Sequence, residues 1–530
     1  MGIGGHGARA AWPSRGCPTE GSSMNDAAAL SIAIIGGGPT AVALLESLIR
    51  SRDTISPDVS LDVTVFDPTP HPWSGHSFAP DRPEALTNTY TNTMSVRHWQ
   101  PEHVEIWLKA NGYAELAGNN FAPRSIIGQY FQDSAQLAAS RLEGFVFIRE
   151  QVTGLSVVDD HVRLYTQNGD NTFDYAILTV GRSDKFDPYR MEGQENFCIR
   201  PYPLKDALAG VDPDEQIGII GTGLTAVDLV IALKADRHRG RITLMSRNGL
   251  LPAVRPPSLE YELQRFTVKA IEESAAANGG VSLEDLVHLV HDELHHAGTS
   301  PEPLMEEIFP SRYGIDRLRH QLKHIDGGKK AYSILIKTLL VLQDAWYFLN
   351  PEDKTRATGL HHIYSSLCCP MPRHRAVQIL DLAEANRLDV VRGVKSVAKA
   401  AHGQFVAVAA DHPPLHFDRV FSAGSSGNAP DPVAIPLVDS LLRSGQGRAH
   451  PFGGIDVERR TSRLLDTYSR PQPRLYAVGT MTSGAFQVLN GYSVLRLRTG
   501  HIADAILKHG EASRNCRSRH RALAAVLEDD

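Results

Sequence analysis

The chain has 530 residues, enough for roughly two to four domains of ordinary size. Its net charge of −6 gives no electrostatic case for nucleic acid or an anionic membrane as partner. No apolar run approaches the ~20 residues of a membrane-spanning helix, and five scattered cysteines are too few for a disulfide framework, so a reducing cytoplasm fits best.

Residues 1–28 are rich in Gly, Ala and Ser and lack the apolar core of a secretory leader. They are expected to be disordered, with Met24 a candidate start. Residues 31–45 then read SIAIIGGGPTAVALL, an apolar run followed by Gly36, Gly38 and Ala41 in G-x-G-x-x-A spacing and by a helical pattern. An unbroken apolar run suits a parallel strand buried on both faces. In such a turn the first glycine permits the bend and the second lets the backbone approach a pyrophosphate. The small third residue lets helix pack on strand, and the helix N-terminus offers free N–H groups to phosphate. The next strand, Leu61–Phe66, ends in Asp67, whose carboxylate can accept hydrogen bonds from an adenosine ribose. An exposed acid at a strand end is the alternative. The phrase FDYAILTVG over 173–181 closes this unit on Gly181.

Residues 216–230 repeat the pattern as QIGIIGTGLTAVDLV, with Gly221, Gly223, Thr225 and Ala226 in the matching places. Here the following strand, 242–245, ends in Ser246 and Arg247 rather than in an acid. A hydroxyl and a guanidinium suit a 2′-phosphate, which a carboxylate would repel, so this turn points to NADPH over NADH. An exposed arginine at a strand end is the alternative. FDRVFSAG over 417–424 echoes the close of the first unit, and the two halves read as duplicated α/β nucleotide-binding units.

The stretch 256–351 is helical in pattern. Within it Ser282 and Asp285 stand at capping-box spacing. The run 334–349 is broken by Lys337, Gln343 and Asp344 and reads as a buried amphipathic helix. His291, Glu293 and His295 imitate a zinc-binding helix, but Asp292 occupies the place where the metalloprotease motif needs Glu. A solvated helix face and no metal is the reading. RLYAVG precedes a last helix at about 494–507, and the chain after His509 reads as a frayed helical tail.

These phrases resemble the FAD/NAD(P)-binding flavoprotein superfamily, in particular a bacterial FAD-NAD(P)-binding group similar in layout to the N-hydroxylating flavin monooxygenases. The resemblance runs from about residue 30 to 508. It rests on the two glycine turns, LTNTYTNTMSV from Leu86, FAPRSIIGQY from Phe121, LMSRNGLLP from Leu244, PRHRAV from Pro372 and LYAVGTMTSG from Leu475. It implies FAD at the first turn, with Gly36, Gly38, Pro39 and Thr40 on the pyrophosphate. It implies Asn88, Asn92 and Met94 near the flavin, and Gly479 and Thr480 at its ribityl or pyrophosphate side. Many relatives have Gly-Asp at that last place, and Thr480 departs from the pattern while keeping a donor.

The expected fold is α/β: two Rossmann-like dinucleotide-binding domains with a helical insertion in the second. After the extension 1–28, an FAD-binding domain covers 29–205 and 425–510. An NADPH-binding domain covers 206–255 and 352–424, with the insertion 256–351 and a tail 511–530.

No Cys-x-x-Cys pair follows the first glycine turn, and adjacent Cys368 and Cys369 could join only in a strained ring. Disulfide reduction and iron–sulfur chemistry are therefore disfavoured. What the resemblance implies instead is a monooxygenase consuming NADPH and O2. It would N-hydroxylate a small amino acid or amine through a flavin C4a-hydroperoxide in a dry pocket. Arg97, Arg255, Arg373 and Arg375 lie in or beside the group-specific phrases and are candidate carboxylate anchors. Asn88 and Asn92 join Arg255, Arg373 and Arg375 as candidate catalytic positions. A flavin oxidoreductase acting on a small acceptor without oxygen insertion, or a redox-cofactor-binding protein with little turnover, are the alternatives. Partners are expected to be the small substrate and O2, with no nucleic acid and no membrane; a homo-oligomer is compatible.

Overall fold

The apolar runs that precede the two glycine turns become central strands of two parallel sheets. The computed structural model describes residues 29–181, 187–424, 435–487 and 492–528; the expectations for 1–28 and Met24 lie outside them. In the first sheet Leu30–Ile35 runs parallel between Leu61–Phe66 and Tyr175–Leu178. Gly144–Ile148 extends one side, Pro471–Ala477 the other, and Arg463–Leu465 adds an antiparallel edge. Ile32 and Ile34 belong to one buried cluster, Ala33 and Ile35 to another. A strand covered on both faces has no polar side to alternate with, which is why its sequence is a continuous apolar run.

Helix Pro39–Ile55 covers the Ile32 face together with the long helix Tyr492–Glu528. Ser47 Oγ lies 3.1 Å from Thr499 Oγ1, and Ser51 donates to Asp504 at 2.6 Å. The last helix continues to Glu528 through residues set apart above as a tail. Burial of Ile502, Ala503, Ile506 and Leu507 anchors it, and propagation then adds a hydrogen bond for each further residue. The opposite face carries a three-stranded antiparallel sheet, Gly154–Val158, His161–Thr166 and Gly169–Phe173, and helix Pro436–Arg443.

The second sheet has the order Leu388–Arg392, Ile242–Ser246, Ile217–Ile220, Arg419–Ser422, Phe197–Cys198, all parallel. Helices Leu224–Ala235, Gly314–His324 and Arg373–Glu384 pack on one face. A second antiparallel sheet, Val394–Lys399, Phe405–Ala409 and Leu415–Phe417, packs on the other. The architecture is mixed α/β with parallel sheets, built twice on a similar plan.

Between Ile242–Ser246 and Leu388–Arg392 the chain is helical: Val268–Asn278, Leu283–His296, Glu302–Ile308, Gly314–His324, Lys329–Phe348, Pro351–Gly359, His361–Cys368 and Arg373–Glu384. Ser282 and Asp285 form the capping box that their spacing suggested. Glu293 corrects the reading of a solvated face. His291 and His295 are exposed, but Glu293 is 0% exposed. Its carboxylate accepts from Tyr261 Oη at 2.5 Å and from the main-chain N–H groups of Gln264, Arg265 and Phe266 at 3.0, 2.7 and 2.8 Å. Its negative charge replaces water with donors from a segment that would otherwise hold unpaired amides.

Helix Lys329–Phe348 reaches the first half of the molecule. Trp346 Nε1 donates to Gly484 O at 2.8 Å, and Asp344 accepts from Arg459 at 2.9 Å and Arg498 at 3.2 Å. No helix among the described residues is long and apolar enough to cross a membrane.

Candidate functional site

Open parallel sheets bind ligands beyond the carboxyl ends of their strands, where connections diverge to opposite faces. In the first sheet that edge gathers Gly36 and Gly38 after Leu30–Ile35, Asp67 after Leu61–Phe66, Gly181 after Tyr175–Leu178 and Gly479 after Pro471–Ala477. Gly36 has φ +109°, and a Cβ there would stand 2.8 Å from Thr179 O; only glycine can make this bend. Around Gly38, Gly181 and Gly479 a Cβ would meet nothing within 4 Å, so the backbone at each faces open space. Helix Pro39–Ile55 begins there with Gly38 as N-cap and Pro39 in its first turn, aiming its positive end into the same space.

Two buried polar atoms border this crevice without a partner among the described residues, Thr480 Oγ1 and Trp73 Nε1. Trp73 is tied to the turn by its main-chain N–H, which donates to Gly37 O at 2.5 Å. Buried groups of this kind are normally satisfied. Together with the glycine cradle they fit a ligand rich in oxygen acceptors, as a dinucleotide is. Asp67 does something the sequence did not disclose. Its Oδ2 accepts from Gly37 N at 2.6 Å, and its Oδ1 accepts from Thr69 N at 2.7 Å and Thr69 Oγ1 at 2.5 Å. Most of its lone-pair capacity holds the protein's own turn.

The second turn repeats the geometry. Gly221 has φ +113° and a Cβ would stand 2.7 Å from Ala423 O, while Gly223 faces open space as N-cap of Leu224–Ala235. Thr225 lies in that helix's first turn, near the half-buried Tyr202, whose phenol donates to Asp228 Oδ2 at 2.6 Å. Ser246 Oγ accepts from Gly249 N at 2.9 Å. Arg247 is exposed, with no ion pair among the described residues. Arg392 ends the neighbouring strand in register with Ser246, its guanidinium 4.9 Å from the Tyr313 ring centre. Two arginines thus cap adjacent strands beside the glycine turn. Arg392 was missed because its neighbourhood depends on a strand pairing across the whole helical stretch.

A pocket of about 740 Å³ lies where the halves meet. Tyr90, Asn119 and Phe121 come from the first half. Arg255, Pro257 and Ser258 come from the start of the helical stretch, and Arg373, His374, Val377 and Gln378 from the first turns of Arg373–Glu384. Arg255 is fixed at several points. Its N–H donates to Met371 O at 2.9 Å, Nη2 donates to Asn88 O at 2.6 Å, and the guanidinium sits 5.2 Å from the Tyr90 ring centre. Its Nε is buried without a partner among the described residues. Desolvation at the pocket wall, then the Arg375 guanidinium, hold the His374 imidazole below its usual range. Asn92 Nδ2 donates to Asn119 Oδ1 at 3.0 Å, linking the Asn88–Asn92 segment to the same wall.

The other expected residues fall elsewhere. Arg97 is spent on Glu46, which accepts from Nε at 3.0 Å and Nη2 at 2.9 Å. Arg375 is 7% exposed and donates to Glu84 O at 3.0 Å, behind the pocket wall rather than in it. Met94 is buried in the core of the first half. Cys368 and Cys369 are free thiols, and burial pushes both upward, away from the thiolate form that redox exchange needs.

Residues 33–183 match the protein family described as FAD-NAD(P)-binding. The uncharacterized protein YdhS of Escherichia coli is 23% identical over 418 residues, 68% of this chain and 76% of that protein. The nitrosuccinate-forming L-aspartate N-monooxygenase of Streptomyces cremeus is 32% identical over 163 residues, which are 27% of this chain and only 22% of that one. Among solved structures, an ornithine N-hydroxylase of Kutzneria sp. 744, described with reduced FAD, NADP+ and L-ornithine, superposes with a TM-score of 0.53 at 15% identity. The match covers 91% of this chain and 100% of that chain, and it shows a shared fold.

Proposed function

We propose that the chain is an FAD- and NADPH-dependent monooxygenase that N-hydroxylates a small amino acid or amine, its two sheets serving as two Rossmann-like dinucleotide-binding domains. The observation that carries this reading is the shared pocket, walled by Tyr90, Asn119 and Phe121 of the first half and by arginines reached from the second. The family match over 33–183 supports FAD at the first turn. The named activities of the Streptomyces relative and the Kutzneria structure support oxygen transfer to nitrogen.

Bound FAD supplies hydride acceptance from NADPH and activation of O2. The balanced reaction takes an amine, O2, NADPH and a proton to the hydroxylamine, NADP+ and water. The chain's own residues bind and orient. Gly36, Gly38, Pro39, Thr40, Gly181, Gly479 and Thr480 would cradle FAD; Gly221, Gly223, Thr225, Ser246 and Arg247 would hold NADPH. Tyr90 and Phe121, their ring centres 5.0 Å apart, wall the pocket with apolar surface that limits water beside the reacting nitrogen. Arg255 and Arg373 draw in a polar substrate and fix its orientation.

The test is a panel of amino acids and amines incubated with the purified protein, NADPH and O2. A product heavier by one oxygen, formed with matching NADPH consumption, is expected. NADPH oxidation at one rate with every compound, and no oxygenated product, would leave a plain flavin oxidoreductase. No turnover with any acceptor would leave a cofactor-binding protein.

A further inference from the structure

Resting on that reading, we infer that the pocket is built for an anionic substrate, a small amino acid bearing two carboxylates, with Arg255 and Arg373 each holding one of them. Two arginines, the half-buried Arg255 and the exposed Arg373, and no aspartate or glutamate line the pocket. Several buried or half-buried arginines elsewhere in the molecule are matched to acids: Arg97 to Glu46, Arg124 to Asp228, Arg317 to Glu307, Arg459 and Arg498 to Asp344. Arg255 and Arg373 have no ion pair among the described residues.

The placement of the exposed Arg373 is slightly unfavourable to the protein alone. It occupies the first turn of Arg373–Glu384, which has no acidic residue. A cation there opposes the positive end of the helix dipole. A ligand carboxylate reverses the sign of that cost, since it would meet the guanidinium and the helix N-terminus together. Arg255 is the complementary case. The Tyr90 ring beneath it, its bond to Asn88 O and the hydrogen bond from its main-chain N–H to Met371 O hold the guanidinium in place before any ligand arrives. Little side-chain freedom remains to be lost on binding.

With His374 held toward its neutral form, the two arginines set the sign of the pocket. A substrate carrying an additional ammonium, such as ornithine, would bring a like charge against them with no carboxylate in the lining to receive it. A dicarboxylate places one anion on each arginine and leaves its amine free between them. Loss of one charge-assisted pair is expected to weaken binding about 10- to 100-fold.

Calorimetry on the full chain with its FAD and saturating NADP+ tests this, using L-aspartate, succinate and L-ornithine as titrants. Aspartate and succinate should bind, and ornithine at least about ten-fold more weakly. Arg373→Gln should lose aspartate affinity about 10- to 100-fold without lowering Tm, and Arg373→Glu should reverse the order in favour of ornithine. The inference fails if ornithine matches aspartate, if neither binds, or if Arg373→Gln leaves aspartate affinity unchanged. It also fails if that variant weakens NADPH instead, which would assign the arginine to a cofactor phosphate. Arg373-dependent binding of aspartate and succinate with no oxygenated product from any amine would keep the anion pocket and remove the monooxygenase reading. Preferential hydroxylation of ornithine would keep the monooxygenase reading and remove the anion pocket.

Discussion

Asp67 accepts a 2.6 Å hydrogen bond from the main-chain N–H of Gly37, inside the first glycine turn. The acid at the end of the second strand therefore shapes the turn proposed to receive a pyrophosphate. Asp67→Ala would leave that buried N–H unpaired at a cost of about 1–3 kcal/mol; Asp67→Asn keeps an acceptor. The alanine protein is expected to lose flavin on desalting and the asparagine protein to retain more, read as the ratio of flavin to protein absorbance. Equal, full retention in both would assign Asp67 no part in the turn.

The two glycines of that turn should fail differently. Gly38→Val places its side chain in open space, so the protein should fold yet exclude FAD and purify colourless. Gly36→Ala forces a side chain into Thr179 O at positive φ and should destabilise the fold itself. Circular dichroism and flavin absorbance on the pair separate the outcomes.

Arg247 stands beside the second turn without an ion pair among the described residues, and Arg392 ends the next strand. Arg247→Ala should lower kcat/KM for NADPH about 10- to 100-fold while sparing NADH, the range of one charge-assisted contact to phosphate. Equal losses with both cofactors would make its role structural. Arg392→Ala is expected to add a smaller loss of the same selectivity.

Arg375 has its guanidinium behind the pocket, bonded to Glu84 O and near buried Asp228. Arg375→Met should lower Tm by removing a buried donor, about 1–3 kcal/mol of stability. Substrate KM should change little. A large KM effect with unchanged Tm would return it to the substrate site.

His103 provides a pH signature. Desolvation, then the nearby Arg97 charge, pushes its imidazole from 6.5 down to about 4, with Nδ1 2.8 Å from Tyr130 Oη. A depressed folded value means that the unfolded chain binds the proton more readily between those limits. Stability should hold above pH 6.5 and fall as pH drops toward 4. His103→Gln should flatten this part of the Tm profile; an unchanged slope would locate the acid sensitivity elsewhere.

The glycine turns were legible because their signal is local: an apolar run, two glycines at fixed spacing and a helix, all within a few residues. The capping box at Ser282 was legible for the same reason. The arginines were not. Arg97 and Arg375 carried the same expectation as Arg255 and Arg373, and only long-range packing separates them, through Glu46 for the first and Glu84 for the second. Glu293 misled because a charged residue among exposed histidines reads as solvated, whereas its donors come from the segment that ends at Phe266. Sequence spacing identifies what a residue can bind; the fold decides whether another part of the chain has already taken it.

The first sheet is finished by a strand from near the chain's other end. Pro471–Ala477 pairs with Tyr175–Leu178, and Arg474 Nη1 donates to Asp174 O across 300 residues of sequence. During synthesis the edge of Tyr175–Leu178 must wait for its neighbour, about 15–60 s at ordinary elongation rates. For that interval an apolar strand edge next to the first glycine turn has no native cover, open to mispairing. Yield of intact protein should therefore depend on temperature and chaperone supply during expression, and a nascent chain released before the final strand emerges would be a substrate for degradation rather than a smaller working enzyme.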